Sequence, residues 1–230
     1  DSDEEYEKIY SIERDALHYF MNKPNCDAVG GNFVIYASGN DAKPLAGYPA
    51  AYHKYISVSA IGPDFLPTTY TNYGPGCNIS APGGDLSLNQ LSTGYRAQIL
   101  STVPDELKSF DSAYGYMQGT SMACPHVSGV VALGLSYALK LGKTYDYDEF
   151  LGMIYTSVND LEYFMETSIR YSYGIEFDMS PMRGGMGTGS IDAWRLLMQI
   201  EGTPSLLIKK GELWKVSLDE HFGGSAANLT

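Results

Sequence analysis

Gly119-Thr120-Ser121-Met122-Ala123-Cys124-Pro125-His126-Val127-Ser128-Gly129 is the stretch on which the reading of this 230-residue chain turns. One serine follows a Gly-Thr pair and opens a long run of small and apolar residues. The run predicts a helix over residues 120–141, with Met122, Val127, Val130, Val131, Leu135 and Ala138 available for burial. Pro125 is compatible with it, because a proline in the first turn gives up an N–H that has no intrahelical partner anyway. Serine is a poor nucleophile until a base takes its proton and donors stabilise the oxyanion it creates. On a first helical turn, exposed N–H groups and the positive end of the helix dipole supply part of that help. The base is not evident within the stretch.

Upstream, residues 4–22 predict an amphipathic helix, with Ile9, Ile12, Ala16 and Phe20 at helical spacing as its core face and Pro24-Asn25 as its end. Residues 33–37 are a continuous apolar run between glycines, the pattern of a strand buried on both faces of a parallel sheet. Residues 55–60, 77–81 and 98–103 read as further short strands, joined by segments rich in Gly, Pro, Asn and Asp. Helices are expected over 147–158 and 192–200, the latter with Ser190 as its cap. Helices alternating with buried strands predict an α/β fold, a parallel sheet flanked by helices. Beyond Glu201 the texture changes. Gly202-Thr203-Pro204 reads as a linker, and 205–208 with 213–218 as a hairpin around Lys210-Gly211. Two strands do not stand alone, so the expected division is 1–201 as one domain and 202–230 as the beginning of a β-rich one.

Hydrophobic residues make up 44% of the chain, a globular composition. The net charge of -12 argues against a nucleic-acid backbone as partner. No apolar run is read as a membrane span and no basic-then-apolar leader is present. The chain opens Asp1-Ser2-Asp3 without Met and reads as an internal cut. Cys26, Cys77 and Cys124 form neither a disulfide framework nor a zinc pattern, and buried free thiols are the expectation.

Five segments, in order, resemble the subtilisin-like (subtilase) serine peptidase family. They are Ala37-Ser38-Gly39-Asn40; Tyr48-Pro49-Ala50-Ala51-Tyr52 with Ile56-Ser57-Val58-Ser59-Ala60; Tyr73-Gly74-Pro75 with Ile79-Ser80-Ala81-Pro82-Gly83; Gly119 through His126; and Gly185-Met186-Gly187-Thr188-Gly189-Ser190-Ile191-Asp192-Ala193. A lone G-x-S is weak, whereas five collinear matches over about residues 1–200 are specific. The resemblance implies a subtilisin-like sheet whose N-terminal part is absent from this chain. It implies Ser121 as nucleophile, Asn40 and the Ser121 N–H as oxyanion donors, and Ala37-Ser38-Gly39 with Gly119-Thr120 as walls of the substrate site. It implies polypeptide substrates and a secreted, periplasmic or cell-surface location. No cofactor is evident, and calcium enters through the resemblance only.

The family's triad runs Asp, His, Ser. Neither an Asp-Ser/Thr-Gly nor a His-Gly-Thr motif precedes Asn40. His18, His53 and His221 lie in unrelated contexts, and His126, five residues beyond Ser121 on one helix, is rotated away from it. The triad Asp and His are therefore expected on an upstream segment of the same protein, continuous or a separate chain after nicking. The competing reading is a catalytically inactive subtilisin-like module. Taken alone, Ser121 would be a helix cap and Asn40 a turn residue; the flanking segments favour the peptidase layout.

Overall fold

Ile56–Ile61 forms β2, and every one of its residues is buried. Its neighbours are β1 (Ile35–Ala37) and β3 (Ile79–Pro82), both parallel to it, with Ile35 opposite Ile56 and Val58 opposite Ile79. The computed structural model describes residues 2–23, 25–87, 97–105, 113–165, 169–172 and 175–203. Within them the main sheet runs β1-β2-β3-β9-β6, where β9 (Ser190–Ile191) is parallel to β3 and β6 (Val158–Asn159) antiparallel to β9. The expected parallel sheet is thus present, closed on one side by an antiparallel strand. The hairpin expected over 205–218 lies outside the described residues.

Five helices accompany the sheet: α1 (Asp3–Ile9), α2 (Ser11–Asn22), α3 (Thr120–Lys140), α4 (Tyr147–Thr156) and α5 (Ala193–Glu201). α3 crosses β1, β2 and β3, and its Ala123, Val127 and Val131 share one core with Val58, Ala60 and Ile79. Phe150 and Ile154 of α4 and Leu196 and Ile200 of α5 complete that core. By length and composition alone α3 passes for a membrane-crossing helix, a test that a core helix meets as well. Its many Gly, Ala, Ser and Thr residues keep it from looking like an apolar run, and here it packs on a sheet.

Two helix expectations are corrected. The helix over 4–22 is broken at Tyr10 into α1 and α2. Its predicted core stripe faces outward: Ile9 is 60%, Ile12 88% and Phe20 43% exposed. The buried side is Tyr6 with Leu17 and Met21, packed on Val34, Tyr52 and Tyr55. Both faces carry apolar residues, so periodicity alone could not choose. The tyrosine side is also fixed by hydroxyl-to-carboxylate bonds: Tyr48 to Asp3 at 2.7 Å, Tyr52 to Glu7 at 2.7 Å and Tyr36 to Glu13 at 3.0 Å. Secondly, α5 is capped by Asp192, which accepts the Arg195 N–H at 3.1 Å, while Ser190 lies in β9.

Two antiparallel hairpins decorate the sheet. β4 (Ile99–Thr102) pairs with β5 (Tyr114–Met117), and β7 (Ile169–Ser172) with β8 (Ile175–Asp178). Arg170 of β7 is buried and holds Asp64 and Asp85, each at 3.1 Å, tying that hairpin to the loops after β2 and β3. A buried guanidinium needs such partners to offset its desolvation.

Candidate active site

The chain leaves β1 at Ala37 and turns through Ser38-Gly39-Asn40. Ser38 is fully buried; its N–H donates to the Val58 carbonyl at 3.0 Å, and its own carbonyl accepts from Gly47 and from the Asn72 amide. Gly39 sits at φ +114, and a Cβ there would lie 2.4 Å from Asn72 Nδ2, so the position admits only glycine. Asn72 is the hub of this turn. Its Oδ1 accepts the N–H groups of Asp41 and Lys43 at 3.0 and 3.1 Å. Sequence reasoning passed it over, since Thr71-Asn72-Tyr73-Gly74 reads as ordinary loop composition.

The turn delivers Asn40 to the start of α3. Asn40 Oδ1 accepts the Thr120 N–H at 2.8 Å and the Thr120 hydroxyl at 2.9 Å. A backbone N–H can only donate, so the atom facing it must be the amide oxygen, and this leaves Nδ2 as a donor on the exposed side. Thr120 itself is buried, and its Oγ1 also receives the Gly39 N–H at 3.3 Å. Asn40 and the nucleophile candidate are therefore joined through the intervening residue.

Gly119 precedes the helix and donates its N–H to the Gly83 carbonyl at 3.0 Å. The approach is close: a Cβ on Gly83 would lie 2.9 Å from the Gly119 oxygen. The Tyr70 hydroxyl secures the same turn, donating to Gly83 and Gly84 carbonyls at 3.0 and 2.6 Å. Burial raises the Tyr70 phenol to about 12, so it remains a donor at neutral pH. Tyr70 is a second residue that sequence reasoning missed; a tyrosine among nineteen carries no local signal.

The first turn of α3 leaves four N–H groups without intrahelical partners. Thr120 gives its own to Asn40, while Met122 and Ala123 give theirs to the Gly119 carbonyl at 2.9 and 3.2 Å. The Ser121 N–H is the one left over among the described residues. It points with the helix's positive end, and Ser121 itself is exposed. The Ser121 side chain borders a groove of about 300 Å³ with Ile99, Leu100 and Ser101 of β4 and Met122, Pro125 and His126 of α3. β4 was expected as a strand, but its place in this groove was not.

His126 borders the same groove as Ser121. Its Nδ1 is engaged with the Met122 carbonyl at 2.7 Å, one turn back on its own helix. His18 and His53 lie at the other end of the sheet, in a cavity that includes Tyr55 and Ile56 at the start of β2. Asn40 follows the end of β1, and the two strands are parallel, so these histidines are on the opposite rim. His53 Nδ1 is 2.6 Å from Asp3 Oδ2. His221 lies outside the described residues. Among the described residues no three His, Cys, Asp or Glu side chains gather to hold a metal ion.

The cysteines are unbonded: Cys77 is buried and Cys26 and Cys124 half-buried. Burial raises the thiols of Cys77 and Cys124, which keeps them protonated and unreactive.

Comparisons with known proteins bear on the family and the fold. An extracellular basic protease of Dichelobacter nodosus is 28% identical over 164 residues, 71% of this chain and 22% of its own length. An extracellular protease of Xanthomonas campestris pv. campestris is 38% identical over 109 residues, 47% of this chain and 17% of its own. The chain therefore spans less than a quarter of these curated relatives. Among solved structures, a protease of Pseudoalteromonas arctica superposes with a TM-score of 0.55 at 26% identity, covering 74% of this chain and 43% of that one. A lanthipeptide protease shares the fold, with a TM-score of 0.56 at 20% identity. The sequence model of the subtilase family, peptidase S8, matches residues 8–172, most of the described α/β unit, and the chain belongs to that family.

Proposed function

We propose that this chain is the nucleophile-bearing part of a secreted serine endopeptidase. The observation that carries the reading is the donor accounting around Ser121. Asn40 spends its oxygen on the start of α3, and the first turn of α3 spends every N–H but one. Among the described residues, Asn40 Nδ2 and the Ser121 N–H carry no hydrogen bond, and Ser121 is exposed. That is the arrangement an acyl-transfer oxyanion requires, held by the fold before substrate arrives.

In this reading the Ser121 Oγ attacks the carbonyl carbon of a peptide bond as a base removes its proton. The two donors take the negative charge that develops on the carbonyl oxygen. The C–N bond breaks, the leaving amine takes the proton back from the base, and water releases the acyl group from Ser121 by the same route. A histidine and an orienting aspartate supply the base, on a polypeptide segment upstream of this chain, continuous with it or separate. Ala37-Ser38-Gly39, with Gly119 and Thr120, forms a wall for the residue before the scissile bond. The division into 1–201 and a β-rich unit from 202 belongs to the same reading, as does export, since both curated relatives are extracellular proteases by name.

A fluorophosphonate probe tests it. The assembled enzyme is expected to be labelled on Ser121, Ser121→Ala to abolish labelling, and the 230-residue chain alone to stay unlabelled. An assembled protein that resists the probe would favour the inactive binding module. Labelling of the chain alone at full rate would place the base within it.

A further inference from the structure

Tyr6 and Tyr10 are one helical turn apart at the end of α1, and the fold brings a third tyrosine to them. The Tyr6 and Tyr10 rings stack with centroids 5.6 Å apart and planes 26° from parallel. Tyr48, from the loop between β1 and β2, lies 5.7 Å from Tyr6 at 32°. Among the described residues Tyr10 and Tyr48 make no ring contact with each other, although both meet Tyr6. The three rings line a cavity of about 110 Å³ together with Ile9 and Glu5. It shares no lining residue with the Ser121 groove.

The cavity is held in shape by the fold. Tyr6 is buried, and its hydroxyl pairs with that of Tyr55 at 3.4 Å. Tyr48 donates its hydroxyl to Asp3 at 2.7 Å, and Gly47 beside it donates its N–H to the Ser38 carbonyl at 2.8 Å. The Tyr10 N–H donates to the Tyr6 carbonyl and the Tyr10 carbonyl accepts the Arg14 N–H, both at 2.9 Å. Rings already held in place lose little freedom when a ligand arrives.

The lining decides the occupant. The Tyr6 and Tyr48 hydroxyls are turned to Tyr55 and Asp3, so these rings leave carbon surface to the cavity. The face of an aromatic ring is negative and attracts a cation. Glu5 is the one charged residue on the lining, and Asp3 and Glu4 add negative charge in the same turn of α1. Lys8, in the last turn, does not line the cavity. With Ile9 as an apolar wall, a bare ammonium would give up strong hydration for too few acceptors. An alkylated ammonium carries its charge on weakly hydrated methyl groups and gives up less. Size agrees: a drug-sized ligand takes roughly 300–1,000 Å³, so this space suits a head group.

We propose that the cavity between Tyr6, Tyr10 and Tyr48 binds an alkylated ammonium head group, carried by a choline-like small molecule or by a methylated lysine of a polypeptide. The site goes beyond the peptidase reading and does not depend on it.

Calorimetric titration of the chain at constant ionic strength tests it, with choline and with 3,3-dimethylbutan-1-ol, which has the same shape without the charge. Choline is expected to bind saturably and at least about tenfold more tightly than the neutral alcohol. Tyr10 and Glu5 are exposed, so their replacement should leave the melting of the chain unchanged. Tyr10→Leu should weaken choline at least about fivefold and Tyr10→Phe should retain it. Glu5→Gln should cost about two- to threefold. A short peptide with one trimethyllysine, run beside its unmodified form, separates the sources. A methylated peptide that binds at least about tenfold more tightly than choline assigns the site to polypeptides, and choline that matches it assigns the site to the free head group; both outcomes support the cavity. Equal affinity for choline and the neutral alcohol, binding indifferent to Tyr10→Leu, an unmodified peptide as tight as the methylated one, or no saturable binding of any probe overturns the proposal.

Discussion

The two sides of α3 and the sheet differ in what they leave undone. Around β2, β3, α4 and α5 the chain is closed: Val58, Ile79, Val127, Phe150, Ile154 and Leu196 are buried to 4% exposure or less in one cluster. Around β1, α1 and α2 it is open, with Ile9, Ile12 and Phe20 in solvent and β1 at the edge of the sheet among the described residues. The Ser121 side of the candidate site belongs to the closed region, because Gly119, Thr120 and Asn40 are all bonded into it. The open region is where the sequence's strongest core signals found no core. Apolar periodicity reports that a face needs covering; it does not report which chain covers it.

The comparison breaks most directly if the closed region proves dispensable. Phe150 is fully buried, against α3 at Gly134 and beside the rings of Phe33 and Tyr145, so Phe150→Ala is expected to cost about 3–5 kcal/mol, read as a lower denaturant midpoint. A loss below about 1 kcal/mol would mean that this core is loosely packed. Asn40→Ala addresses the site. It removes the Nδ2 donor and frees the Thr120 N–H, and in the assembled enzyme kcat should fall roughly a hundred- to a thousandfold with KM little changed. That figure was measured on subtilisin, a member of this family, and is carried over to this chain. An unchanged kcat would remove Asn40 from the oxyanion site.

The seam between the two regions is sensitive to pH at both ends. Burial raises the Tyr36 and Tyr48 phenols from 10.0 to about 12, and the Glu13 and Asp3 carboxylates push them the same way. Unfolded tyrosines ionise first, so their contribution is complete below pH 10 and is lost as pH rises toward 12. Asp3 works in the opposite sense. Burial alone would raise its carboxyl, but the bonds from Tyr48 and His53 outweigh this and hold it below 3.8. Its contribution is present above about pH 4 and disappears as pH falls through the lowered value. Amide exchange of α1 against pH should show protection lost at both extremes. Protection that persists from pH 10 to 12 would mean the tyrosine–carboxylate bonds do not hold α1 in place.

Element bounds were legible in both regions. β1, β2, β3, β4, α3, α4 and α5 emerged within two residues of their expected bounds. The five collinear segments were enough to identify the family. What sequence reading lacked was everything set by distant contacts. Asn72 and Tyr70 act through loops that only folding brings to Gly39 and Gly83. Asp192 displaced Ser190 as the α5 cap because β9 claimed the serine for the sheet. Arg170 gives no sign in sequence that Asp64 and Asp85 wait more than eighty residues upstream of it. β1 was read correctly as apolar and wrongly as interior, since burial on both faces is a property of the assembled sheet.

Ile12→Ser gives the smallest effect and the sharpest contrast. Ile12 has the sequence signature of a core residue, spaced for the buried side of an amphipathic helix, and is 88% exposed. Surface substitutions away from caps, cavities and buried networks stay within about 0.5 kcal/mol, and this one should do so in the free chain. Where a partner covers that face the same change should cost more, since a fully buried isoleucine contributes about 1.5–3 kcal/mol. Stability measured on the chain alone and on the assembly should therefore diverge for Ile12→Ser and agree for Phe150→Ala, whose surroundings lie wholly within this chain. Equal small losses in both states would make the outward stripe ordinary surface. Divergence confined to the stripe would show that its pattern was selected for a partner's presence, with the free chain's α2 face as one half of an unfinished core.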